Sequence, residues 1–123
     1  MNSKFLQTLE KGYIRLNWFD YVNRVHLSND NLSTIITLID NFKGNKNANE
    51  LIMFRFEGIP AYVMFTKEEY VEVLEWIKNT LIDREQYEMC KDIVRIMKYI
   101  EKKKNDRYKR NIRRLENSEQ SNA

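Results

Sequence analysis

Three observations in the sequence predict an α+β fold: two apolar runs around a turn in mid-chain, helical periodicity throughout the second half, and a shorter helical pattern before both. The runs Leu51-Ile52-Met53-Phe54-Arg55-Phe56 and Ala61-Tyr62-Val63-Met64-Phe65 flank Glu57-Gly58-Ile59-Pro60. Aromatic and aliphatic residues around Gly/Pro turn chemistry have the form of one small antiparallel β-hairpin, over about 51–65. Phe54 and Phe56 share one face and Arg55 and Glu57 the other, whereas the second strand is apolar on both faces and needs cover.

The cover comes from helices. Thr66-Lys67-Glu68-Glu69 reads as a capping box, a Thr followed three residues later by a Glu at the start of an apolar-periodic run. Tyr70, Val73, Leu74, Ile77 and Leu81 then fall on one stripe, which predicts a helix over about 67–82. Asp83, with Gln86 three residues on, has the form of a second N-cap. Met89, Cys90, Ile93, Val94, Ile96, Met97 and Ile100 follow at helical spacing, so a second helix is expected over about 84–103. Two antiparallel helices joined near Asp83 are the natural reading, and one kinked helix is the alternative. Upstream, Asn29 or Asp30 is expected to cap a helix carrying Leu32, Ile35, Ile36, Ile39 and Phe42, which stops at Gly44. Lys43–Asn49 then reads as an exposed loop. Residues 13–25 carry both periods: Ile14, Leu16 and Trp18 alternate like a strand, and Trp18, Tyr21, Val22 and Val25 are spaced like a helix. Helix is the expectation there, giving two or three N-terminal helices in all.

A chain of 123 residues is long enough to bury a core in one domain. The expected division is a globular α+β domain over 1–101 and a basic, partly helical arm with a frayed end over 102–123. The charge distribution supports that division. Of the net charge of +3, the run Lys102–Arg114 contributes eight bases and one acid, which leaves 13 bases against 17 acids, or −4, elsewhere. Cys90 is the single cysteine, so no disulfide forms within the chain and a reducing compartment is the default. The first residues lack a signal-peptide apolar core, and no run has the roughly 18 apolar residues of a membrane span. A cytoplasmic location is the expectation. Fourteen Asn and three Ala suit an AT-rich coding genome, such as that of a low-GC bacterium or its phage.

Little in the sequence points to catalysis. His26 is the only histidine and lies far from Cys90, which falls within an apolar stripe. Such a pair offers neither an adjacent nucleophile and base nor the usual zinc ligands. Glu68, Glu69, Glu72 and Glu75 read as the solvated side of a helix. The three glycines, Gly12, Gly44 and Gly58, build no phosphate-cradling loop. A non-enzyme without cofactor or metal is expected.

The segment Ile82-Asp83-Arg84-Glu85-Gln86-Tyr87-Glu88-Met89-Cys90-Lys91-Asp92-Ile93 resembles the second helix of the UVR motif, a short helical hairpin of bacterial excision-repair proteins. An acidic turn, Tyr87-Glu88, a small residue at Cys90 and the aliphatic Ile93 carry the resemblance. The family's paired alanines stand here as Cys90 and Lys91, and its Arg-Asp pair as Val94 and Arg95. The resemblance covers residues 81–100 and implies docking of the hairpin onto another helix pair.

Two functional expectations follow. The first is a small adaptor that binds a protein partner through the helical hairpin, with Trp76, Tyr87, Ile96 and Tyr99 as interface residues. It accommodates a homodimer, or a phage or mobile-element accessory or inhibitor protein. The alternative is a nucleic-acid-binding regulator. A winged-helix form is open to it, although the would-be recognition helix, Asn31 to Lys43, offers one base and an Ile-rich face. Sequence-indifferent contact through Lys102, Lys103, Lys104, Arg107, Lys109, Arg110, Arg113 and Arg114 fits better, with Tyr108 stacking on a base. A solvated helix end is the third reading of the same run.

Overall fold

A computed structural model describes the backbone of residues 12–121 and the side chains of residues 12–117. The fold is α+β. In chain order it comprises β1 (Ile14–Asn17), a single helical turn α1 (Trp18–Tyr21), α2 (Asn29–Phe42), β2 (Glu50–Arg55), β3 (Ala61–Thr66), a 3-10 turn (Lys67–Glu69), α3 (Tyr70–Asp83) and α4 (Tyr87–Ser121).

The predicted hairpin is the antiparallel pair β2–β3, but it gains a third strand. β1 adds parallel to β3, with Ile14 opposite Ala61 and Asn17 opposite Met64, so the sheet order is β1-β3-β2. The helix expected over 13–25 is therefore corrected. Its first residues pair with β3, and helical geometry begins only at Trp18, where the Asn17 side chain accepts from the Phe19 amide at 2.9 Å. Both periods in that stretch were real and were used one after the other.

A bulge at Met53 shifts the β2 register between Ile52 and Phe54. Without it Leu51 and Met53 would face away from Phe54 and Phe56, because strand side chains alternate. With it, all four pack with the core. Central β3 is buried on both faces. Val63 and Phe65 meet the helices. On the other face, Met64 lies under an Arg15–Glu50 ion pair from the flanking strands, and the Tyr13 ring meets Tyr62 edge-on at 5.5 Å.

The N-cap of α2 lies one residue before the earlier of its two expected positions. Ser28 is the N-cap, and its side chain and that of Asn31 exchange hydrogen bonds with each other's backbone amides at 3.1 Å. The capping expectation at Thr66 holds in the Glu69 half: the Thr66 amide and hydroxyl donate to Glu69 Oε1 at 2.9 and 3.1 Å. Trp18 Nε1 and Asn17 Nδ2 donate to the other oxygen at 2.9 and 3.3 Å. Burial would raise the Glu69 pKa, but these bonds together hold it below the ordinary carboxylate value. One carboxylate thus pins the N-terminal strand and turn to the start of the helical hairpin.

The two helices expected near 67–82 and 84–103 are present with a different junction. Asp83 closes α3 instead of capping α4. The Glu85 amide donates to the Ile82 carbonyl and the Gln86 amide to the Leu81 carbonyl, with Glu85 at φ 60. That is a Schellman C-cap, in which a left-handed residue satisfies the last carbonyls. It breaks the chain into two helices. Arg84 then donates to the Leu27 carbonyl and the Asn29 side chain, at 2.8 and 2.9 Å, which ties the junction to the start of α2. α4 runs 35 residues; at about 1.5 Å per residue it is roughly 50 Å long. Its first half packs on α3 and α2. From Glu101 to Asn111 every residue is exposed, so the basic run is a helical arm projecting from the body.

Candidate functional site

Where α4 leaves the body, its inward stripe changes chemistry. Met89, Ile93, Ile96 and Ile100 pack with the core. The same alternation of three- and four-residue steps continues through Lys103, Arg107, Arg110 and Arg114. At about 3.6 residues per turn these positions share one helix face. The stripe that seals the core while it touches the body thus becomes cationic beyond it.

Those cations oppose a second basic wall built from distant sequence. Lys43 at the end of α2, Lys46 in the following loop and Lys67 of the 3-10 turn line a cleft of about 450 Å³ together with Lys103, Lys104, Arg107 and Arg110. Glu68 is the one acid among the lining residues. The loop over 43–49, expected to be simply exposed, is held to the body. Ala48 is buried, its carbonyl accepts from the Tyr70 hydroxyl at 3.5 Å, and the Lys67 amide donates to the Asn49 carbonyl at 2.9 Å. Tyr70 lines the cleft, with burial, aided by Glu68, pushing its hydroxyl up to about 12.

Two contacts set the cleft's geometry. Arg95 of α4 grips Asp40 of α2 through both terminal nitrogens, at 3.3 and 2.9 Å, and Lys43 pairs with the same carboxylate. The Arg95 hydrogen bond, then that of Lys43, holds Asp40 down to about 2. Lys43 therefore contributes with its charge already offset. Tyr99 fills the space between the loop and the arm. The Lys43 and Lys103 ammonium groups lie 4.8 and 5.7 Å from its ring centroid, a cation–π arrangement. A Cβ at Gly44 would come within 2.9 Å of the Tyr99 hydroxyl, so a side chain there would displace the end of the Tyr99 ring. Among the described residues, Lys46, Lys67, Lys103, Lys104, Arg107 and Arg110 have no carboxylate within ion-pair distance.

The expected site residues are sorted by this geometry. Lys103, Lys104, Arg107 and Arg110 line the cleft, and Arg114 extends its basic face along the arm, whereas Arg113 shares the helix side of Lys102 and Lys109. Lys102 and Lys109 lie on a different side with Glu101 and Asp106. Tyr108, expected to stack on a base, is exposed on the far side of the helix from Lys103 and Arg110. Of the expected protein-interface residues, Ile96 is corrected: it is fully enclosed in the core, because α3 and α2 pack against the inner face of α4 there. Trp76 is half-buried, its indole donating to Asn23 at 3.4 Å and its ring 6.5 Å from Trp18. Tyr99 belongs to the cleft, and Tyr87 is left exposed. Sequence reasoning missed Lys43, Lys46 and Lys67. The local signal for Lys43 and Lys46 was a short Lys/Asn-rich loop, Lys67 lies in the turn that opens the helical hairpin, and the fold alone brings the three opposite the arm.

No metal-binding group of His, Cys, Asp or Glu occurs among the described residues. Cys90 is half-buried, with its thiol near the Gln86 and Lys78 carbonyls at 3.6 and 3.9 Å, while His26 is exposed. Among the described residues no helix is long and apolar enough to cross a membrane. The chain matches no known family, no curated protein and no solved structure.

Proposed function

We propose that this protein binds the phosphate backbone of nucleic acid in the cleft and along the inner face of the arm, without reading base sequence. The observation that carries the reading is the convergence of seven cations and one acid from three separate segments on one cleft. An extended polyanion suits it better than a small phosphate compound. From Lys103 to Arg114 the basic stripe covers roughly 17 Å of helix, about five steps of a nucleic-acid strand. No constellation for base-edge readout accompanies it, since the cleft offers Lys and Arg with one Asn, Asn49. Tyr99 provides a ring at the same place, already flanked by two ammonium groups.

The arm's own energetics support the reading. Lys103 with Arg107, Lys109 with Arg113, and Arg110 with Arg114 are like-charge pairs at i, i+4. Each costs the isolated helix about 0.2–0.5 kcal/mol, and a phosphate backbone reverses the sign of that term. Fluorescence anisotropy with labelled single- and double-stranded oligonucleotides at low salt tests the proposal. Saturable binding that shows little dependence on base sequence and weakens steeply with salt is expected. Absence of binding to both forms at low salt refutes it. A protein partner docked on the hairpin is the weaker reading, because Ile96 lies in the core and Trp76 packs against Trp18.

A further inference from the structure

The outer face of α4 carries a second, independent pattern. Tyr87, Val94, Glu101, Tyr108 and Leu115 recur every seven residues, and all five are exposed. The four apolar members are 62%, 42%, 67% and 64% exposed, in chain order. Ile112 joins Tyr108 and Leu115 at the four- and three-residue steps of a heptad seam. The seam points away from the cleft, since Tyr108 and Leu115 lie well round the helix from Lys103 and Arg110. Apolar side chains held on the exposed face of a projecting helix form an unpartnered docking surface.

The charges beside the seam select its occupant. Four exposed lysines border it: Lys98, Lys102 and Lys109 along one side, where the exposed Glu116 also stands, and Lys104 on the other, at the edge of the cleft. Among the described residues these four have no carboxylate within ion-pair distance, whereas Lys91, further toward the body, pairs with Glu88 at 3.0 Å. Glu101, the acid within the seam, is bracketed by Lys98 and Lys104 at i−3 and i+3. A second copy of the same helix would set one net-positive rim, four lysines and Glu116, against another, and that excess of like charge opposes pairing. We infer that this face docks an amphipathic helix of another protein, apolar on its contact stripe and acidic on both flanks. Tyr108, Ile112 and Leu115 form its anchor, and Lys98, Lys102, Lys104 and Lys109 set its charge preference.

The test uses the full chain and a synthetic peptide of about four heptads, with Leu and Ile on the seam and Glu on both flanks. Self-repulsion keeps that peptide unfolded alone. Expected are saturable binding and a gain of helical circular dichroism on mixing. A Tyr108→Ser/Leu115→Ser double substitution, both positions being exposed and removed from the core, should weaken binding at least about tenfold. The triple substitution Lys103→Ala/Arg107→Ala/Arg110→Ala in the cleft should leave the seam contact intact. Equal binding of a scrambled peptide of the same composition reduces the contact to bulk charge and overturns the inference. So does an unchanged affinity in the Ser variant. A protein that sediments alone as a dimer, which the Ser variant dissolves, assigns the face to a second copy. Loss of nucleic-acid binding in the Ser variant without peptide binding assigns it to the nucleic acid instead.

Discussion

Neutralising the arm's share of the cleft provides the most direct quantitative check. In the triple variant Lys103→Ala/Arg107→Ala/Arg110→Ala, three cations are removed from exposed positions that have no carboxylate partner among the described residues. Alanine is the best helix former and like-charge pairs are lost, so the arm should be at least as helical as before. Each phosphate contact contributes about 0.7 (single strand) to 0.9 (duplex) to the slope of log K against log salt. Six unpaired cations line the cleft, Lys46, Lys67, Lys103, Lys104, Arg107 and Arg110. If all engage a duplex, the slope is about −5, and the variant's is shallower by about 2.7. At roughly 0.1 M salt each lost contact then costs about an eightfold drop, and three together about 500-fold on duplex or somewhat over 100-fold on a single strand. Anisotropy titrations at four or five salt concentrations, with circular dichroism to verify the fold, measure both quantities. Affinity that drops while the slope stays fixed would mean that these residues act through the fold and not through phosphates. An unchanged affinity would remove the arm from the site.

Three further outcomes concern the framework. Ile96→Ala leaves a void in a fully enclosed position and should cost about 2–4 kcal/mol in denaturant unfolding; a cost below about 1 kcal/mol would contradict the enclosed position. Asp40 titrates at about 2 in the folded chain, below its unfolded value, so its contribution is present above about pH 4 and is lost as pH falls toward 2. Because Arg95 is half exposed, that contribution is screened to about 1 kcal/mol. Asp40→Asn should remove it at neutral pH and flatten the acid limb of the stability profile, and an unaltered limb would exclude the triad. Glu85 holds a left-handed conformation, where a side chain costs about 1–2 kcal/mol that glycine's extra unfolded-state freedom partly offsets. Glu85→Gly should therefore raise stability by about 0.5–1 kcal/mol in thermal or denaturant melts; a loss would mean that its side chain carries a contact outweighing the backbone strain.

Much of the fold was legible because its signals are local. The apolar stripes of α2, α3 and α4, the helix start at Thr66–Glu69 and the turn at Gly58 act within a few residues of one another. β1 was not legible as a strand, because four residues acquire their conformation from a parallel partner some 47 positions away (Ile14 opposite Ala61). The break between α3 and α4 was placed near the right residue for the wrong reason. Asp83 and Gln86 resemble a helix start, but the stop is made by backbone hydrogen bonds around Glu85 that no side-chain pattern announces.

The sequence alone determined an α+β domain with a dense basic run continuing its last helix, since composition and periodicity are properties of the chain itself. Which way that run faces was a tertiary decision. Packing of Ile93, Ile96 and Ile100 against the body sets the rotation of α4, and that rotation carries Lys103, Arg107 and Arg110 toward the cleft and Tyr108 and Leu115 away from it. The opposing wall of Lys43, Lys46 and Lys67 exists only once α2, β3 and α4 meet. A helix's rotation is set by the face it buries, and a cleft by elements that share no local sequence.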